Sequence, residues 1–178
     1  MKTLFASIVV ALLAGGAELA APDVIRVVSL VKDQHVFVSF TMESGFTEDL
    51  RAAVQSGLPT TISYDVDLRR EVSTWFDTTL QSCTVSASVQ YDNLTRRYRL
   101  SRTVDGRGEE PTATEDEDAV RRWLTSFDRM PLFTTDRLEA NVEYYVRVRA
   151  HSRPWIAWFF WPWDRGSASG TAKFTVIQ

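Results

Sequence analysis

The sequence predicts a mainly β domain. The expected form is an antiparallel two-sheet sandwich of immunoglobulin- or fibronectin-like architecture, with about seven strands and two short helices in the connections. Three observations carry this. First, strict alternation recurs along the chain: Ile62, Tyr64, Val66 and Leu68 are interleaved with Thr61, Ser63, Asp65, Asp67 and Arg69, the period of a strand with one buried face. Second, the alternating runs are separated by short polar breaks. Third, helical spacing appears in only two stretches. A single curved antiparallel sheet covered by a helix is the alternative. The Cys-Trp-Cys signature of true immunoglobulin domains is absent, because Cys83 is the only cysteine.

The first two runs are Val24–Val31 and His35–Met42. Lys32-Asp33-Gln34 breaks them, which predicts a hairpin. In the second run Val36, Val38 and Phe40 share a face. Thr47 then stands as an N-cap before Glu48 and Asp49, and Gly57 follows as a C′ residue. That pattern predicts a helix of about three turns, with Leu50, Ala53 and Val54 along one side. Pro59–Val72 is the cleanest strand. Thr79–Val104 reads as a long hairpin, with Val85, Ala87, Val89 and Tyr91 inward on one arm and Tyr98 and Leu100 on the other. Asp92 and Asn93 favour its turn, since both tolerate left-handed backbone. Asn93-Leu94-Thr95 matches a glycosylation acceptor pattern, which reads here only as that turn.

After the loop "DGRGEEPTA", Thr114–Phe127 predicts the second helix. Thr114 and Glu117 have capping-box spacing, acidic residues fill the first turn, and Val120, Trp123, Leu124 and Phe127 make one apolar stripe. Ala140–Ser152 is the next strand, with Val142, Tyr144, Val146 and Val148 inward and Glu143, Tyr145, Arg147 and Arg149 outward. Thr171–Ile177 closes the chain, with Ala172, Phe174 and Val176 inward.

With 178 residues, 44% of them hydrophobic, the chain has enough apolar mass for one core. The N-terminus has the layout of a secretory signal peptide: Lys2, an apolar run from Leu4 to Ala14, then small residues with cleavage sites after Ala17 or Ala21. Residues 1–21 are read as that signal and 22–178 as a single β-rich domain, exported to the periplasm. An uncleaved anchor helix is the alternative, disfavoured because the run is shorter than the ~20 residues of a membrane span. The net charge of −3 argues against nucleic-acid binding, which calls for a basic field.

No residue stands out as catalytic, cofactor-binding or metal-ligating. His35 and His151 lie at strand ends without metal-pair spacing. Cys83 sits in a strand pattern as a small buried hydrophobe. Asp65 and Asp67 share a strand face about 7 Å apart, and with Arg69 on that face they read as paired surface charge. Arg97 and Arg99 form one basic row and Arg147 and Arg149 a second. The plain reading is a solvated sheet face, with pairing to Asp65 and Asp67 open to it; the functional reading is contact with anionic lipid head groups or an acidic partner.

Several segments together resemble a family of exported bacterial proteins, the DUF4390 type. They are "GLPTTISYDVDLRR" (Gly57–Arg70), Trp75, "YDNLTRRYRL" (Tyr91–Leu100) and "YYVRVRA" (Tyr144–Ala150). The resemblance implies an envelope protein of uncharacterised activity and carries over no catalytic residues.

The stretch "RPWIAWFFWPWDR" (Arg153–Arg165) is the most distinctive. Trp155, Trp158, Phe159, Phe160, Trp161 and Trp163 make six aromatic residues in nine positions. Together they carry on the order of 1,000 Å² of surface, more than a soluble monomer leaves bare as one patch. Pro154 and Pro162 argue against a regular helix or central strand. Three readings stay open. The stretch plugs its own core, docks another envelope or inner-membrane protein, or enters a membrane surface with Arg153 and Arg165 at head-group level. The function expected is therefore a non-enzymatic binding module using this aromatic loop. The alternatives are an envelope hydrolase with dispersed carboxylates and a peripheral membrane-surface protein.

Overall fold

Alternating inward side chains pull the chain into two facing sheets. The computed structural model describes residues 25–71, 77–154 and 168–176, with the backbone alone for 152–154. The expected signal at 1–21, Trp75, and the side chains of Arg153, Trp155, Trp158, Phe159, Phe160, Trp161, Trp163 and Arg165 lie outside that description. In chain order the elements are β1 (Ile25–Lys32), β2 (His35–Met42), α1 (Glu48–Gln55), β3 (Thr60–Arg70), β4 (Thr78–Asp92) and β5 (Arg97–Val104). Then come β6 (Arg107–Gly108), β7 (Thr112–Thr114), α2 (Glu117–Thr125), β8 (Ser126–Thr134), β9 (Glu143–Pro154) and β10 (Ser169–Thr175).

The smaller sheet has the order β1-β2-β8; the larger runs β10-β9-β3-β4-β5-β6, with β7 also on β5. Every pairing is antiparallel. The sandwich is as the alternation requires, with ten strands among the described residues where about seven were expected.

Its core is the set of inward rows. Val36, Val38 and Phe40 of β2 meet Ile62, Tyr64, Val66 and Leu68 of β3, flanked by Val85, Ala87 and Val89 and by Tyr144, Val146 and Val148, all buried. Phe40, Tyr64 and Phe127 form a ring cluster with centroids 4.4–5.0 Å apart. The Tyr64 hydroxyl donates to the Leu124 carbonyl (2.8 Å), which ties β3 to the end of α2. Cys83 is buried, and burial pushes its thiol up to about 12, so it behaves as the small hydrophobe expected.

Local differences from expectation have local causes. α1 is two turns, not three; Thr47 caps it through Leu50 N–H (3.3 Å) and Gly57 leaves it at φ 83°. The β1–β2 turn places Asp33 and Gln34 in the left-handed region. In the β4–β5 turn that role falls to Arg96 (φ 56°), while Asp92 accepts from the Leu94 and Thr95 N–H groups. α2 begins later than the capping-box spacing implies, because Asp116 is the N-cap and Thr114 belongs to β7. It also ends earlier, at Thr125, so Phe127 belongs to β8. Arg102 faces inward, its guanidinium 4.3 Å from both the Trp123 and Phe127 ring centroids and donating to the Trp123 carbonyl.

Candidate functional site

The outer face of the large sheet was expected to be wet. Its centre is instead an ordered polar layer. Between β3 and β4, Thr61 and Ser88 hydroxyls lie 2.7 Å apart, Ser63 and Ser86 2.9 Å. The Ser82 hydroxyl donates to Asp67 (2.8 Å) and Thr84 to Asp65 (3.3 Å). Between β3 and β9 the register sets Asp65 opposite Arg149 and Asp67 opposite Arg147. Asp67 is only 5% exposed. It accepts from Arg147 Nη2 (2.9 Å) and Arg149 Nη2 (3.2 Å). Burial pushes its carboxyl up, but hydrogen bonds from Arg147 and Ser82 and the charges of Arg149 and Arg147 outweigh it, so the net displacement is downward. His151 Nε2 lies 2.9 Å from Asp65. Below these, Lys173 bridges Glu71 (2.7 Å) and Glu143 (2.6 Å).

Arg147 and Arg149 are therefore committed to Asp67, as the plain reading of the basic row supposed. The second row differs. Arg97 Nε donates to Glu115 (2.9 Å). Among the described residues, the side chains of Arg96 and Arg99 hold no hydrogen bond or ion pair. Arg97 and Arg99 line a cleft of about 370 Å³ with Asp92, Thr95 and Ala113. A second cleft, about 360 Å³, lies between the helices and is lined by Phe46, Glu48, Arg51, Asp116, Glu117, Asp118 and Arg121. Its carboxylates are matched: Glu117 and Glu48 to Arg51, Asp118 to Arg121, Asp116 to Arg122.

One end of the sandwich gathers the features left over. Thr60, the first residue of β3, lies opposite Pro154, the last of β9, and opposite Val89 on β4. The β4–β5 hairpin tip is therefore at the same end as Pro154, about 14 Å across the sheet by strand spacing. The α1–β3 turn joins it: a Cβ on Gly57 would stand 2.9 Å from Asn93 Nδ2. On either side of this contact are Leu58, 42% exposed, and Leu94, 96% exposed. β1 also starts toward this end. Its far turn is held opposite, where Gln81 of β4 donates to the Thr134 carbonyl beside His35 (3.0 Å).

The end thus bears two exposed leucines, the arginines of the hairpin and the departure point of the Trp155–Trp163 run. Alternation does not single out Leu58, Leu94 or Arg96, which fall in turns. The signal that was available is an apolar residue at the centre of a predicted hairpin tip.

The profile of a family described as a domain of unknown function, DUF4390, matches residues 23–153, most of the chain. No curated protein and no solved structure matches.

Proposed function

The chain belongs to the DUF4390 family, and on that premise we propose that it is a non-enzymatic binding module of the bacterial envelope. Its contact is made at the Thr60–Pro154 end, through the aromatic run. The observation that carries this reading is the chain path. β9 and β10 are adjacent antiparallel strands, yet residues 155–167 are inserted between them where a tight turn would suffice. In the described core Tyr64, Phe40 and Phe127 pack as one ring cluster, and Tyr64 is tied to the end of α2. Placement in the envelope rests on Lys2, the apolar Leu4–Ala14 run and the small residues before Pro22.

A hydrolytic reading draws little from this architecture. General acids need a carboxyl held above its ordinary range. Asp67, Asp92 and Glu143 are displaced downward, and the acids of the inter-helix cleft are each matched by an arginine.

The test is the combined variant Trp158→Ser, Phe159→Ser, Trp161→Ser. The expected result is an unchanged circular dichroism spectrum and unfolding midpoint, with recovery in the envelope fraction lost. Collapse of the fold would make the run part of the core and overturn the reading.

A further inference from the structure

The four most exposed large apolar side chains among the described residues are Val28, Leu30, Leu58 and Leu94. Val28 and Leu30 lie on the outer face of the small sheet, away from the hairpin. Leu58 and Leu94 lie beside the Gly57–Asn93 contact. Leu94 is displayed by a built turn: Asp92 accepts from the N–H groups of Leu94 and Thr95 at 2.9 and 3.2 Å, and Arg96 takes a left-handed conformation to close it. Leu94 thus stands almost fully bare on a turn closed by its own hydrogen bonds, next to the second exposed leucine, Leu58.

The charges around it are sorted. The carboxylate of Asp92 is occupied by backbone N–H groups and Glu115 by Arg97. That leaves the guanidinium group of Arg96 unmatched among the described residues, while Arg99, in the cleft of about 370 Å³ behind the tip, meets Asp92 through its charge alone; three arginines against two carboxylates leave the tip a net positive charge. Leucine tips with arginines behind them suit a bilayer interface, where apolar side chains enter the acyl boundary and guanidinium groups stay at phosphate depth.

We propose that this end docks on a bilayer carrying anionic phospholipid, with Leu94 and Leu58 in the acyl boundary and Arg96 and Arg99 at the head groups. The inference rests on the reading above that this is the contact end, and it names the occupant.

The experiment places an environment-sensitive thiol label in the full chain at Leu94→Cys and, as control, at Leu30→Cys. Cys83 does not compete, being buried with its thiol pushed up to about 12. Vesicles of phosphatidylethanolamine with phosphatidylglycerol are compared with phosphatidylcholine alone. The expected result is a blue shift of the label at position 94, larger with the anionic vesicles, and none at position 30. Adding Arg96→Gln and Arg99→Gln weakens partition to the anionic vesicles about thirtyfold, near 1 kcal/mol per basic residue, and leaves the neutral ones unaffected. No shift at position 94, or an equal shift at both positions, overturns the proposal. If position 94 stays in water, with no shift, while the aromatic variant still loses envelope recovery, the occupant is a protein and only this inference falls. If position 94 shifts while the aromatic variant keeps its envelope recovery, the end still docks and only the aromatic run's part in the earlier reading falls.

Discussion

Asp67 does more for this fold than its place on an outward row suggests. It sits on the central strand β3, nearly closed off from water, and accepts from Arg147, Arg149 and Ser82. Its carboxyl is displaced downward, so the folded state holds it ionised more firmly than the unfolded chain. The stability this contributes is complete above the unfolded carboxylate range, about pH 4, and is lost as pH falls through the lower folded value. Asp67→Asn removes the charge that both arginines face. The expected cost at neutral pH is roughly 2–3 kcal/mol, less than for a fully buried pair because the arginines reach solvent. Denaturant unfolding at pH 7 and pH 3 checks this: the variant's deficit should shrink at the lower pH. The sequence made the pairing of Arg147 and Arg149 with the Asp65/Asp67 row legible, because cross-strand partners on one face are set by alternation. Burial of Asp67 was not legible, since it depends on two long side chains folding over it from the next strand.

Most elements were legible too; β6 and β7 lie in and at the end of the stretch read as the loop "DGRGEEPTA", and a third strand that was missed is instructive. β8 escaped because its buried residues, Phe127, Met130 and Phe133, recur every third position, the spacing of a helix. The cause is in the pairing with β2. The register shifts twice, between Val36 and Phe37 and between Val38 and Phe40, so β8 carries extra residues and Arg129 turns to φ 45°. Each bulge resets which face is inward. The apolar stripe of α2 therefore ran on smoothly into a strand. The ends of the two sheets are held by another local device. At Gly170 a Cβ would stand 1.9 Å from the Ile25 carbonyl oxygen and 2.9 Å from Val27 Cγ2, so β10 and β1 approach too closely there for any side chain on β10. Gly170→Ala is expected to destabilise the protein by about 1–3 kcal/mol through forced displacement, measured by chemical denaturation. An unchanged midpoint would mean that the two edges are not packed together.

At the scale of the molecule, the inward rows make a closed sandwich, and the polar rows opposite make an outer face whose charges satisfy one another. Neither offers an obvious place for a ligand. The Thr60–Pro154 end is different, because it leaves Leu94 and Leu58 bare and Arg96 without a charge partner among the described residues, with Arg99 held to Asp92 by charge alone. Alternation revealed the rows and the sandwich. It could not reveal this end, which is assembled from turns that meet only when β3, β4 and β9 pair in register. The aromatic run was legible as something that needs covering, and its flank at Pro154 belongs to the same end. Hydrogen–deuterium exchange of the full chain, with and without anionic vesicles, tests the central claim most directly. The account predicts new protection at residues 56–60 and 92–99, with the β3–β9 face around Asp67, Arg147 and Arg149 unchanged. Protection across that polar face, with none at the hairpin tip, would contradict it.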